Sequence, residues 1–404
     1  MAEKRRRPLT REEIKKYREQ EQLRKEKQEQ SRELSKGPID LPFCLLTILL
    51  TGIGLIMLLS ASFPSAYYET KTHDATHYFV RQGLFALMGI FAMLIISKIN
   101  YQRLRGAAKA LLFISIIMLI MVKIPGIGIW RNGARRWLGV GELLTFQPSE
   151  IAKVAIVVYF ADSISRKKDL MRTFRYGILP YGLLLVLVGG LVAWEPHLSG
   201  AILIMGAGAI MMLVGGINWG WVFAALGAAG AALYTILFVV GYNTSRITYW
   251  LNPWEDAQDK GFQLSQSLIS IGSGGLLGLG LGKGRQKFLY LPEEHNDFIF
   301  AIVCEELGLI GATIIMLLFA ALILRGFWIA LQARDRFGAL LVVGFTSLIA
   351  MQTFLNIGVV TGFLPTTGIS LPFFSYGGTA LTIQLAEMGI ILSVSRQMKP
   401  TKAG

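Results

Sequence analysis

Seven consecutive residues, Leu291-Pro292-Glu293-Glu294-His295-Asn296-Asp297, bring three carboxylates and an imidazole to the end of a long polar loop, immediately before an apolar run that continues from Phe298 to about Leu324. A run of that length can cross a bilayer as a helix. Asp297 then stands at the helix mouth, where free backbone N–H groups and the positive end of the helix dipole favour an ionised carboxylate. Such an aspartate is either a simple helix cap or a functional carboxylate. Its company argues for function: Glu293, Glu294 and His295 lie one turn outward, and Glu305 and Glu306 lie two turns inward. Carboxylates placed in hydrocarbon are costly and mark function when they are kept. At 1.5 Å per residue the Glu305-Glu306 pair is about 12–14 Å deeper than Asp297, too deep to share a substrate atom with it; one of the two either caps a polar cavity or bonds backbone in a neighbouring span.

Two further stretches carry chemistry-bearing side chains. Arg131-Asn132-Gly133-Ala134-Arg135-Arg136-Trp137 puts three arginines in one loop, and Gln147-Pro148-Ser149-Glu150-Ile151-Ala152-Lys153 opens the next apolar run. Pro148 suits a first helical turn, and Glu150 and Lys153, three apart, share a face and can pair. The pair either locks its helix into a bundle or joins Asp297 in one network at an outer mouth, Lys153 helping to set the ionisation of the carboxylates. Trp137 is either an interfacial anchor or a platform for a sugar or lipid. The run Ile271-Gly272-Ser273-Gly274-Gly275-Leu276-Leu277-Gly278-Leu279-Gly280-Leu281-Gly282-Lys283-Gly284-Arg285 reads as a flexible re-entrant loop or one whose N–H groups face a phosphate. It is no dinucleotide or P-loop fingerprint, because no strand precedes it. His73 and His77, four apart with no third ligand nearby, make a poor metal site, and His197 has no visible ligand set.

These residues need a scaffold, and composition says what kind. The 404 residues are 53% hydrophobic, with a mean hydropathy of +0.51, which excludes an ordinary soluble domain. Ten apolar runs are expected to cross the membrane, at about 41–62, 78–97, 108–125, 148–164, 177–194, 198–216, 220–241, 297–324, 337–361 and 371–395. Basic loops around Arg103, Lys167, Arg334 and Arg396 place those ends, and both termini, in the cytoplasm. Arg131, Arg135 and Arg136 break that rule on the outside, which suggests an anionic group for them to hold. The expected fold is therefore an all-α polytopic membrane protein of ten transmembrane helices, with a large extracytoplasmic loop, 242–296, between helices 7 and 8. A segment of Pro, Gly and hydroxyl residues, 362–379, lies at membrane depth and must line a cavity or a helix break.

Residues 1–37 hold 13 Lys/Arg against 8 Glu and read as a solvated cytoplasmic tail; the membrane domain is expected over 38–398, with a short cytoplasmic end at 399–404. No cleavable signal pattern is expected. The net charge of +14 favours anionic lipid head groups, and no motif supports nucleic-acid binding. Cys44 and Cys304 fall in predicted spans and are expected to be packing residues.

In their order along the chain, Gly133-Ala134-Arg135-Arg136-Trp137-Leu138, Gln147-Pro148-Ser149-Glu150 to Lys153, Ile271-Gly272-Ser273-Gly274-Gly275, Leu291-Pro292-Glu293 to Asp297-Phe298-Ile299-Phe300-Ala301, Glu305-Glu306-Leu307-Gly308 and Leu364-Pro365 to Ser375-Tyr376-Gly377-Gly378 resemble the shape, elongation, division and sporulation (SEDS) family. The resemblance runs from about residue 40 to the end. Ser60-Ala61-Ser62, His77-Tyr78-Phe79-Val80-Arg81-Gln82 and Leu381–Arg396 are more similar to its division type than to its elongation type. Asn252, Asn296 and Cys304 depart from residues the family often carries there.

What the resemblance implies is a peptidoglycan glycosyltransferase of the bacterial cell membrane, active on lipid II at the outer leaflet and, for the division type, working at the septum. It implies Asp297 as the catalytic carboxylate, a general base in an inverting transfer, with Glu150 and Lys153 in support. Arg135, Arg136, Trp137, Arg246, Lys283, Arg285, Glu293 and His295 are expected to meet the sugar or diphosphate, with or without a divalent cation such as Mg or Mn. Partners implied are undecaprenyl-diphosphate-linked glycan, a class B penicillin-binding protein and other division membrane proteins. A lipid II flippase is the alternative, suited by Lys153, Glu305, Glu306 and Glu387. A flippase needs a path open on both faces, whereas the charged and glycine-rich motifs concentrate outside.

Overall fold

The computed structural model describes residues 37–70, 73–131, 134–140, 144–221, 223–224, 227, 244–259 and 261–398. The helices are α1 (Leu41–Glu69), α2 (His77–Lys98), α3 (Arg103–Met121), α4 (Pro148–Lys167), α5 (Leu179–Trp194), α6 (Leu198–Val214), α7 (Thr244–Leu251), α8 (Phe262–Gly274), α9 (Ile299–Gln332), α10 (Arg336–Val360) and α11 (Gly378–Ser395). Among the described residues seven helical stretches are long and apolar enough to span a membrane: α1, α2, α3, Phe174–Trp194, α9, α10 and α11. The chain is a polytopic helical membrane protein. α6 is apolar but shorter, and α4 coincides with a predicted span while carrying Glu150, Lys153 and Asp162 on its buried side. The predicted span 220–241 and the tails 1–36 and 399–404 lie largely or wholly outside the described residues.

Helix ends follow local chemistry. Asp40 caps α1 by accepting from Phe43 N–H at 3.0 Å, with Pro42 in the first turn. Its carboxylate also takes Arg325 of α9 in a two-pronged bond, Nε–Oδ1 3.0 Å and Nη2–Oδ2 2.8 Å. Asp335 caps α10 while binding Arg105 at 2.8 Å. These two clamps tie one end of the bundle. α10 is the most buried of the spanning helices and α3 the least, so α10 forms the axis on which the rest packs. Small residues permit close crossings: a Cβ at Gly389 of α11 would fall 2.7 Å from the Met93 carbonyl of α2.

One feature corrects the all-α expectation, and a second interrupts a predicted continuous span. Gly128–Arg131 (β1), Ala134–Val140 (β2) and Leu144–Phe146 (β3) form a three-stranded antiparallel sheet in the order β1-β2-β3, Arg131 pairing with Ala134 across the hairpin. The signal was present, since Asn132-Gly133 between two short runs of aromatic and aliphatic residues is a hairpin pattern. The second feature is a break in α9 at Gly308, with φ 66° and ψ −171°. The glycine-rich run fills this break in a ladder: Leu279 N–H and Gly280 N–H donate to the carbonyls of Glu305 and Glu306 at 3.0 Å, and Leu309 N–H donates to Gly275 O at 2.9 Å. Side chains complete it. Glu305 accepts from Arg285 N–H at 2.7 Å, and Glu306 from Gly282 N–H at 3.0 Å and Gly284 N–H at 3.3 Å. The glutamate pair therefore satisfies the backbone of the glycine-rich run.

Candidate active site

A cavity of about 1120 Å³ opens between the sheet, residues of α1, α2, α4, α6, α7, α8 and α10, the segment 289–297 and the return 366–380. It brings together residues far apart in the chain: Glu150 and Lys153 from α4, Arg136 and Trp137 from β2, and Glu293, His295 and Asp297. The Lys153 ammonium lies 2.8 Å from the Glu150 carboxylate, both buried, so the three-residue spacing delivers the pair it promises. Arg136 is aimed by the turn after α5: its Nε donates to the Glu195 carbonyl at 3.0 Å and its Nη2 to that of Pro196. The Glu195 carboxyl, buried and without a hydrogen-bond partner among the described residues, is pushed by that burial up to about 8, with Lys123 and Arg136 pulling it back.

Helix α9 begins at Ile299 with Phe298 as its cap residue and no side-chain cap bond. Asp297 is therefore no helix cap, which corrects the simple-cap alternative and the start of the span at 297. It lies outside the spanning helix, partly buried in the cavity wall. Desolvation by the surrounding protein pushes its carboxyl from 3.8 up to about 6; Glu293 adds to the rise, and Arg136 and His295 oppose it. That direction is opposite to the one a helix-mouth position by itself favours, because burial outweighs it. His197, just before α6, is pushed down to about 3 by burial, then by Arg136 and Lys153, and is neutral at pH 7. Its Nδ1 sits 3.1 Å from Gln147 Nε2 and 3.3 Å from Ser149 Oγ.

An aromatic wall faces these charges. His295 stacks on Tyr78 at 4.8 Å between ring centroids, and Tyr376 meets Tyr78 edge-on at 4.8 Å. Tyr78, Arg81 and Gln352 line the cavity too; composition alone does not single them out, although Tyr78 and Arg81 belong to the His77–Gln82 run.

Other expected contacts are elsewhere. Arg135 stands over the Trp130 ring at 5.7 Å and, like Lys283 and Arg285, is not among the cavity-lining residues. The reason for the last two is local: the loop that carries them folds inward on Glu305 and Glu306, so its N–H groups are spent inside the protein. Arg246 falls within α7, its side chain outside the described residues. Lys287 was missed by sequence reading; it is buried, donating to Glu306 at 2.7 Å and to Ser60 Oγ at 3.0 Å. Among the described residues no group of three or more His, Cys, Asp or Glu is close enough to hold a metal ion. The described residues thus offer no carboxylate or imidazole cage for the divalent cation that the family resemblance left open.

Fold and site together define a class: a polytopic helical membrane protein whose bundle carries, at one end, a large polar cavity with a partly buried carboxyl set among cations and aromatic rings. The model of the FtsW, RodA and SpoVE family of cell cycle proteins matches residues 41–400, and the chain belongs to that family. It is 44% identical over 358 residues to stage V sporulation protein E of Bacillus subtilis, covering 88% of this chain and 97% of that one. It is 43% identical over 361 residues to a probable peptidoglycan glycosyltransferase FtsW of Geobacter sulfurreducens, covering 89% and 96%. Among solved structures, a chain from work on the coordination of polymerization and crosslinking by a peptidoglycan synthase complex superposes with a TM-score of 0.74 at 26% identity, over 89% of this chain and 98% of that one. The rod shape determining protein RodA of Thermus thermophilus gives a TM-score of 0.66 at 26% identity, covering 90% and 99%.

Proposed function

We propose that this chain is a peptidoglycan glycosyltransferase that polymerises lipid II at the outer leaflet of the bacterial cell membrane, serving septal wall synthesis in division. The proposed frame has ten transmembrane helices with both termini in the cytoplasm, and the cavity opening outside. Membership of the family, and relatives named as peptidoglycan glycosyltransferases, support the reaction class. The observation that carries the mechanism is the position of Asp297 at the cavity with a carboxyl poised near 6. A base with that affinity is ionised at neutral pH yet takes a proton more readily than an ordinary carboxylate.

The acceptor sugar's 4-hydroxyl oxygen forms a bond to the anomeric carbon of the donor glycan, and the bond from that carbon to the undecaprenyl diphosphate oxygen breaks. The hydroxyl proton passes to Asp297, and the leaving group departs as undecaprenyl diphosphate. A single displacement inverts the α-linked diphosphate to a β-1,4 link. Arg81, Arg136 and Lys153 are the cationic arginine and lysine groups on the described wall that can offset diphosphate charge. Trp137, Glu293 and His295 supply a sugar-facing surface, and the isoprenoid tails lie along the apolar helices below. A class B penicillin-binding protein, which crosslinks strands, is the proposed partner, and other division membrane proteins are expected beside it. The neighbour drawn from a complex that couples polymerization to crosslinking supports that pairing.

Purified Asp297→Asn, folded and able to bind its partner, is expected to polymerise no lipid II. Polymer at the wild-type rate from that variant rejects the base assignment. Polymer formed by the wild-type protein in detergent also separates a transferase from a flippase, since transport has no meaning there.

A further inference from the structure

Three successive carbonyls lead into the proposed base, and each is held by a different donor. The His295 carbonyl accepts from Tyr376 N–H at 2.9 Å, that of Asn296 from Ser375 Oγ at 2.6 Å, and that of Asp297 from Asn356 Nδ2 at 2.7 Å. Two of the donors are double-ended. The Asn356 amide nitrogen also donates to Ile369 O at 2.6 Å, and Ser375 Oγ accepts from Leu371 N–H at 2.7 Å. Each side chain thus rivets the segment 295–297 to the return segment 369–376. That return segment also seats the carboxyl: a Cβ at Gly368, where φ is +65°, would come within 3.1 Å of Asp297 Oδ2. Asn356 and Ser375 are buried and neither lines the cavity, so both act through the segments they hold and not by touching substrate.

We infer that Asn356 and Ser375 are positioning residues that fix the reach and direction of the Asp297 carboxyl into the cavity, an inference that rests on Asp297 being the base. The Asn356 Oδ1 atom has no partner among the described residues, although an amide oxygen buried alone is costly. The side chain is therefore oriented by its two donated bonds, both of which end on the segments that frame the carboxyl. Displacing a reacting group by an ångström costs on the order of a hundredfold in rate, and loss of either rivet leaves the carbonyl it served without its donor.

Purified full-length Ser375→Ala and Asn356→Ala are compared with wild type for kcat and KM with lipid II and for the pH dependence of kcat. Ser267→Ala serves as control, since it removes a buried hydroxyl bond of the same kind, to Val360 O at 2.7 Å, away from the base. Each positioning variant is expected to lose about tenfold or more in kcat with KM changed by less than about twofold. The acid limb of its pH profile should move down, as a loosened segment lets water reach the carboxyl. Ser267→Ala is expected to keep both. Wild-type kcat and an unmoved limb in folded Ser375→Ala overturn the inference, and that variant, losing one hydroxyl only, carries the test if Asn356→Ala does not fold. Activity in Asp297→Asn would instead remove the base assignment beneath it.

Discussion

Lowering the pH tests the proposed base directly. The Asp297 carboxyl is pushed up to about 6, about two units above its ordinary 3.8, mainly because the protein strips water from it. A general base works only when ionised, so activity should fall as pH drops through about 6. A group titrating there is about nine-tenths ionised at pH 7 and about one-tenth at pH 5, whereas one titrating at 3.8 stays more than about nine-tenths ionised at both. Initial rates of lipid II polymerisation at substrate well below KM, where the free enzyme is read, measured at constant ionic strength between pH 4.5 and 8, should therefore show roughly a tenfold drop from pH 7 to pH 5. Neighbouring charges give the sign check. Glu293→Gln removes a negative charge that raises the Asp297 value, so its limb should move to lower pH. Arg136→Gln removes a positive charge that lowers it, so its limb should move to higher pH. A wild-type rate that is flat down to pH 5, or two variants that shift the limb the same way, would refute the electrostatic account of this cavity.

Two further expectations concern the frame. Lys153→Met strands the buried Glu150 carboxylate, whose ammonium partner lies 2.8 Å away, and should cost about 3–5 kcal/mol; thermal unfolding in detergent should show the loss. Adding Glu150→Gln should restore part of the stability, because the carboxylate that lost its ammonium partner is then neutral. Gly308→Ala would place a Cβ 2.3 Å from the Gly278 nitrogen at a positive φ, so the break in α9 and the glycine ladder should not both form; its folded yield after extraction should collapse relative to Gly52→Ala, where the added carbon meets nothing within 4 Å.

Much of the frame was legible because bilayer thickness imposes a length on apolar runs, and residues three apart on a helix must share a face. That is why the membrane class and the Glu150–Lys153 pair could be read in advance, and why family-like motifs around Asp297 pointed to the cavity. Less was legible where distant segments meet. Arg135, Lys283 and Arg285 were plausible anion ligands by charge alone, yet only Arg136 of the arginines and lysine grouped with them lines the described cavity. The glycine run looked able to cradle a phosphate, but its N–H groups close on Glu305 and Glu306.

Hydropathy and spacing are local properties, so the order of residues along the chain was enough to determine a membrane-spanning helical protein with acidic and cation-bearing loops. The direction of the Asp297 shift, the placement of Arg136 by the turn carbonyls of Glu195 and Pro196, and the three held carbonyls behind the base were decided only by tertiary structure. Desolvation and hydrogen-bond geometry depend on groups far apart in the chain, 59 residues for Arg136 and Glu195 and 79 for Ser375 and Asn296, well beyond any one helix, and no local pattern encodes which of them will meet.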